Sequence, residues 1–176
     1  MFAARIVVGL SAALSMLPTG AFADYWTDHQ CVLEKPQPVF GKAGFRLDPK
    51  KGSATEAIAL NENVSVHLEQ RTCEYLNRTY TFILKEIPDD TNIVGWQYRK
   101  AIELLALLEA RAGSRLKFDN EKKALDTYVQ LVLSPREGEE INAVKPHDQF
   151  YELVSVSSRI SEKDARIIVK VWSGPY

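Results

Sequence analysis

From Val64 the chain alternates apolar and polar positions. Val64, Val66 and Leu68 are apolar, while Ser65, His67 and Glu69 are polar. That is the period of a half-buried strand, here running to about Tyr75. Leu76-Asn77-Arg78 is read as the turn, and Thr79-Tyr80-Thr81-Phe82-Ile83-Leu84, rich in β-branched and aromatic residues, as the returning strand of an antiparallel hairpin. Pro88-Asp89-Asp90-Thr91 then combines turn chemistry with a helix N-cap. Beyond it the period lengthens: Val94, Tyr98, Ala101, Leu105, Leu108 and Ala112 recur at three- and four-residue steps, joined by Ile102 and Leu104. This predicts an amphipathic helix of about 20 residues, with Arg99 and Glu103 one turn apart on its polar flank and Gly113 as its C-cap.

Residues 119–134 fit two patterns. Asp119 or Asn120 offers a cap for a helix carrying Ala124, Leu125, Tyr128, Leu131 and Val132, yet Thr127–Leu133 also alternates and is β-rich. A helix stopped by Pro135 is the preferred reading. Residues 136–148 are polar and read as a loop. Phe150–Ser157 and Ala165–Trp172 form a second hairpin turning at Ser161-Glu162-Lys163-Asp164. Ahead of all this, Pro36, Pro38, Gly41, Gly44, Pro49 and Gly52 make residues 24–60 irregular, with room for short strands such as one near Gly44–Leu47. The expected fold is α+β: an antiparallel sheet from two hairpins, one or two helices packed on one face, and one disulfide.

The amino-terminal segment changes the picture of where this fold operates. Arg5 forms a positive start, Ile6–Leu17 an apolar run, Pro18 and Gly20 a break, and Ala21-Phe22-Ala23 a small-residue cleavage site. A run of twelve residues falls short of the roughly 20 that span a bilayer. Residues 1–23 are therefore expected to be a cleavable signal peptide, leaving 24–176 as a single domain without a transmembrane anchor, periplasmic or secreted. No cysteine sits at the cleavage point to carry a lipid. Cys31 and Cys73 are the only two cysteines and lack CxxC or flanking-histidine spacing, so in an oxidising compartment they read as a structural disulfide.

Charge and chemistry narrow the function only by exclusion. A net charge of −1, with Lys50-Lys51 and Lys122-Lys123 as isolated pairs, argues against a nucleic-acid partner. No glycine motif cradles a phosphate, and no cofactor or metal is implied. The three histidines, His29, His67 and His147, form no HxxxH or HxH pair. His67 shares a strand face with Cys73 and reads as a surface or structural residue. His147-Asp148 is the one place where a base and a carboxylate adjoin, a weak catalytic candidate with no GxSxG elbow nearby. Asp89-Asp90 is explained by capping, and Glu137, Glu139 and Glu140 by a solvated loop; carboxylate pairs acting through space stay open. The terminal aromatics Tyr25, Trp26, Trp172 and Tyr176 serve either as core covers or as partner anchors.

Three functions follow from these constraints. One is a protein-binding module of the cell envelope, of inhibitor or immunity type. A second is an envelope assembly or accessory factor using an edge strand. The third, least supported, is a small envelope hydrolase using His147 and Asp148.

Overall fold

The computed structural model describes residues 24–113, 116–143 and 150–175. One antiparallel sheet of seven strands, in the order β1-β2-β3-β4-β7-β6-β5, runs through them. Its strands are β1 (Arg46–Asp48), β2 (Ser53–Ala59), β3 (Val64–Thr72), β4 (Leu76–Leu84), β5 (Ile141–Asn142), β6 (Phe150–Ile160) and β7 (Ala165–Pro175). Helices α2 (Trp96–Ala112) and α3 (Asp119–Leu131) pack on one face, and a single-turn α1 (Tyr25–Asp28) opens the described chain. The α+β architecture and both hairpins agree with the periodicity. The hairpins join at the sheet's centre, where β4 pairs with β7 from Leu76↔Ser173 to Leu84↔Ala165.

Each strand sends alternate residues inward. Val66, Leu68, Tyr80, Phe82, Val154, Val156, Ile167 and Val169 are all fully buried beneath Tyr98, Ala101, Leu105 and Leu108 of α2 and Leu125 of α3. Among the described residues no helix is long and apolar enough to cross a membrane.

Four sequence expectations need correction. The first hairpin turns at Cys73-Glu74-Tyr75 and not at Leu76-Asn77-Arg78, because Cys73 is held to Cys31 and Leu76 already pairs with Thr72. Helix α2 begins at Trp96, not near Val94; turns through Asp90 and Ile93 intervene, and Gly95 at φ +74° supplies the bend. Val94 is consequently 64% exposed. On that helix Lys100 pairs with Glu103 (2.6 Å), while Arg99 folds back to donate to the Val94 carbonyl. Helix α3 is not capped by Asp119 or Asn120: the Glu109 carboxylate, reaching across from α2, accepts from the Phe118 amide and from Lys122. Strand β2, seven residues long, exceeds the short strands expected in 24–60.

The sheet ends at each edge in a short strand, β1 of three residues and β5 of two, backed by loops. Next to β6, the Gly138 amide donates to Val156 O and the Ala143 amide to Glu152 O (2.8 Å each), and the Glu137 carboxylate accepts from the Ser158 amide. Tyr98 holds this loop by donating to Arg136 O, as does Tyr128 by donating to Glu139. At the other edge β1 pairs with Ser53–Thr55, and a turn at Lys42–Gly44 lies against the rest of β2.

Cys31 and Cys73 are disulfide-bonded, as the cysteine arithmetic required. Around the bridge, Leu33 donates its amide to Cys73 O (2.8 Å), and Trp26 Nε1 donates to Thr72 Oγ1 (2.9 Å), which donates in turn to Glu34 O. A segment without long strands of its own is thereby fastened to the end of β3. A formed disulfide fits an oxidising compartment. The expected signal peptide, His147, Asp148 and Tyr176 lie outside the described residues.

Candidate functional site

Two regions carry unsatisfied or exposed chemistry, one on each side of the sheet. The first is the face that the helices leave bare. Alternation places Thr55, His67, Glu69, Arg71, Asn77, Thr79, Thr81, Arg166, Ile168, Lys170, Trp172, Ser155 and Ser157 outward, side by side in register. The charged residues that β2, β3, β4, β7 and β6 point this way are Arg71, Lys170, Arg166, Arg159 and Glu69. Glu69 is paired with Arg71 (2.8 Å), Arg166 with Asp164 (3.2 Å) and Asp48 with Lys51 (3.7 Å), which leaves Lys170, Arg159 and Arg46 without ion pairs among the described residues. The face is therefore basic in a chain whose overall charge is −1.

Toward the disulfide this face ends in an open groove of about 410 Å³, lined by Tyr25, His29, Arg71, Tyr75, Asn77 and Trp172 among others. Its walls rest on two glycines. A Cβ at Gly174 would come within 2.3 Å of the Tyr75 ring, and one at Gly52 within 2.1 Å of the Tyr25 ring. Each aromatic thus lies flat where only a glycine leaves room. His29 stacks on Tyr25 with ring centroids 4.1 Å apart and shares a hydrogen bond with the Tyr25 carbonyl through Nδ1. Trp172 is 37% exposed between these walls. Of the terminal aromatics, Trp26 is a core cover and Trp172 an available contact.

The groove depends on Gly52 twice over, since its φ of +63° also disfavours a side chain. Gly52→Ala is expected to lower stability by about 1–3 kcal/mol and to displace Tyr25. Urea denaturation with a nuclear Overhauser readout of the Tyr25–His29 stack checks both effects.

The second region lies on the helix side, at the end of the sheet. A cleft of about 590 Å³ separates the segment Leu33–Val39 from Leu76, Arg78 and Leu116. Its back wall is structural. Glu56, 2% exposed, accepts from the Val39 and Phe40 amides (2.8 and 2.7 Å) and from Gln70 Nε2 (3.1 Å), which pins that segment to β2. Through Leu76, Arg78, Leu116 and Ser173 the cleft continues into a more enclosed chamber of about 200 Å³. There Tyr80, Phe118, Glu121 and Glu152 complete the wall.

The chamber holds one buried polar atom that the fold does not satisfy, together with two carboxylates, of which Glu152 accepts from Ser173 Oγ (3.3 Å). The Tyr80 ring packs edge-on against Phe118 (5.3 Å), leaving its hydroxyl fully buried without a hydrogen bond of normal geometry. Burial pushes the phenol up to about 12, opposed by the nearby Arg78 guanidinium. Glu121, 5% exposed, sits one turn before Leu125 on the buried stripe of α3. Burial first, then Glu152 and Glu109, raise its carboxyl to about 7 against the pull of its own backbone amide and of Arg78. Among the described residues Arg78 forms no ion pair; its Nε donates a long hydrogen bond to Gln70 (3.4 Å), and its guanidinium also lies near enough to the Tyr80 hydroxyl to act on it as a donor.

Sequence reasoning singled out Tyr25 and Trp172 of the groove, as core covers or partner anchors, and did not mark the chamber. His67 stands exposed on the open face beside Ala57 and Thr81, with no partner for chemistry. His29 enters the groove as an aromatic wall. Among the described residues no cluster of His, Cys, Asp and Glu has the arrangement of a metal site. The chamber did leave a trace: a glutamate at an apolar position of a helix stripe, four residues before Leu125. Comparison with protein-family models, with curated proteins and with solved structures finds no match.

Proposed function

We propose that this chain is an exported protein-binding module, of inhibitor or immunity type, whose uncovered sheet face meets an acidic surface of a protein partner. The carrying observation is the composition of that face: basic charge around a groove walled by Tyr25, Tyr75 and Trp172. Aromatic and arginine side chains held on a rigid sheet are what interface hot spots are made of. An excess of one charge speeds encounter with the opposite charge. The formed disulfide and the export-type amino terminus support a periplasmic or secreted setting. Strand addition, the mode expected of an assembly factor, has less support because the edge strands β1 and β5 are only three and two residues long.

The test is a parallel capture from the envelope of the producing cell, using the folded, oxidised protein and a triple variant Arg71→Glu, Lys170→Glu, Trp172→Ala. A stoichiometric acidic partner that is retained by the parent, weakened by salt and lost from the variant supports the proposal. A partner held equally by both proteins overturns this surface, and the absence of any partner overturns the binding reading.

A further inference from the structure

On the opposite side of the sheet, we infer that the chamber formed by Arg78, Tyr80, Glu121 and Glu152 is a binding site for an uncharged saccharide ring, entered through the cleft beside Leu33–Val39. Three facts of geometry carry this. The chamber is enclosed yet continuous with an outer cleft whose size lies within the roughly 300–1,000 Å³ of ligand pockets. The Tyr80 hydroxyl, wholly buried, lines it without a hydrogen bond of normal geometry. Glu121, also more than nine-tenths buried, lines it without a side-chain partner among the described residues. Natural cores rarely leave a buried hydroxyl unmatched, so that of Tyr80, at a cavity it shares with a carboxylate held only by its own backbone amide, marks a place where a ligand supplies the missing bond.

The mixture of groups selects the ligand class. Arg78 offers only donors, ionised carboxylates only acceptors, and the phenol both. An anion would be held by Arg78 but opposed by Glu121 and Glu152. Lys117 on the rim adds a second cation, so an alkylammonium would be drawn by the two carboxylates but opposed by Arg78 and Lys117, and neither sign of charge is favoured. A purely apolar body would desolvate these groups and offer them nothing beyond the Ser173–Glu152 (3.3 Å) and Arg78–Gln70 (3.4 Å) bonds already present. Neutral hydroxyls donate and accept from the same atom, so a polyol ring answers every group at once. The apolar side chains of Leu76, Leu116 and Val171 remain for the C–H faces of the ring. Glu121, with its carboxyl near 7, serves such a ligand in either protonation state.

The experiment is a titration of the isotope-labelled protein with glucose, N-acetylglucosamine and cellobiose, followed by amide chemical shifts. Sodium benzoate and ethylammonium chloride are the charged controls. Saturable shifts centred on Arg78, Tyr80, Phe118 and Glu121 are expected with at least one sugar. In Tyr80→Phe that affinity is expected to fall about tenfold. This variant loses no normal hydrogen bond within the protein, so it keeps the fold, and its unchanged spectrum elsewhere verifies that. Failure of all three sugars to saturate, undiminished sugar binding by Tyr80→Phe, or saturation by a charged control alone would each overturn the inference. Because the chamber lies across the sheet from the aromatic groove, its failure leaves the protein-binding proposal standing, and the reverse holds too.

Discussion

Glu121→Gln is expected to stabilise the protein above neutral pH and to flatten its stability between about pH 4.5 and 7. In the unfolded chain this carboxyl titrates near 4.5, whereas in the fold it keeps its proton to about 7. Between those values the folded state binds a proton that the unfolded state has released, so stability falls as pH rises. Below the window both states are protonated and the acid costs nothing. Above it both are ionised and the full penalty remains, about 3 kcal/mol for a gap of this size. The groups that face it are Glu152 from β6, Glu109 from α2 and Arg78 from β4, with Lys117 on the chamber rim and Lys122 engaged by Glu109. Urea unfolding of both proteins at pH 4, 6 and 8 checks the sign. Parallel curves for parent and variant would mean that Glu121 is solvated at no cost.

The second large effect is expected from Cys31→Ser combined with Cys73→Ser. The bridge spans 42 positions, and closing a loop of that length removes about 4 kcal/mol of unfolded-chain entropy. The loss should be uneven. Helices α2 and α3 and strands β4, β6 and β7 have their own core, whereas α1 and the segment to Val39 hold to the sheet through Trp26, Leu33, Thr72 and Glu56. Hydrogen exchange in the double variant is therefore expected to rise first in residues 24–40, with global stability lower by about 4 kcal/mol. Uniform acceleration over the whole sheet would instead make the bridge part of one cooperative unit.

What the sequence discloses depends on whether a residue's reason is local. The alternation in Val64–Leu68 and the three-and-four spacing from Tyr98 to Ala112 record burial on one side of an element, and the structure repeats them. Residues 119–131 were settled by tertiary packing: Leu125 and Ala124 meet the core, and the alternation in Thr127–Leu133 lost because Leu131 and Leu133 point to solvent. Strand β2 was hidden because Ala54, Ala57 and Ala59 have little strand preference; it exists by pairing with β3. The cap of α3 was hidden for a similar reason, since Glu109 lies on another helix. Tyr25 over Gly52 and Tyr75 over Gly174 are long-range fits with no periodic signature. The chamber's acids come from α3 and β6, and no spacing rule joins them.

The position of β7 has a consequence for how the chain becomes a protein. It is the last of the seven strands to leave the ribosome, yet it lies between β4 and β6 and supplies Ala165, Ile167, Val169 and Val171 to the core. Until it arrives, the first hairpin and β6 each carry an unzipped flank, and the residues that will contact one another are up to a hundred positions apart (Leu76 with Ser173, for instance). Closure over such distances is slow, because chain entropy is spent before any contact repays it. A polypeptide interrupted short of Ala165 has two templates for foreign strands where the finished sheet has none at that place. The same delay keeps the nascent chain open, which suits the export proposed above.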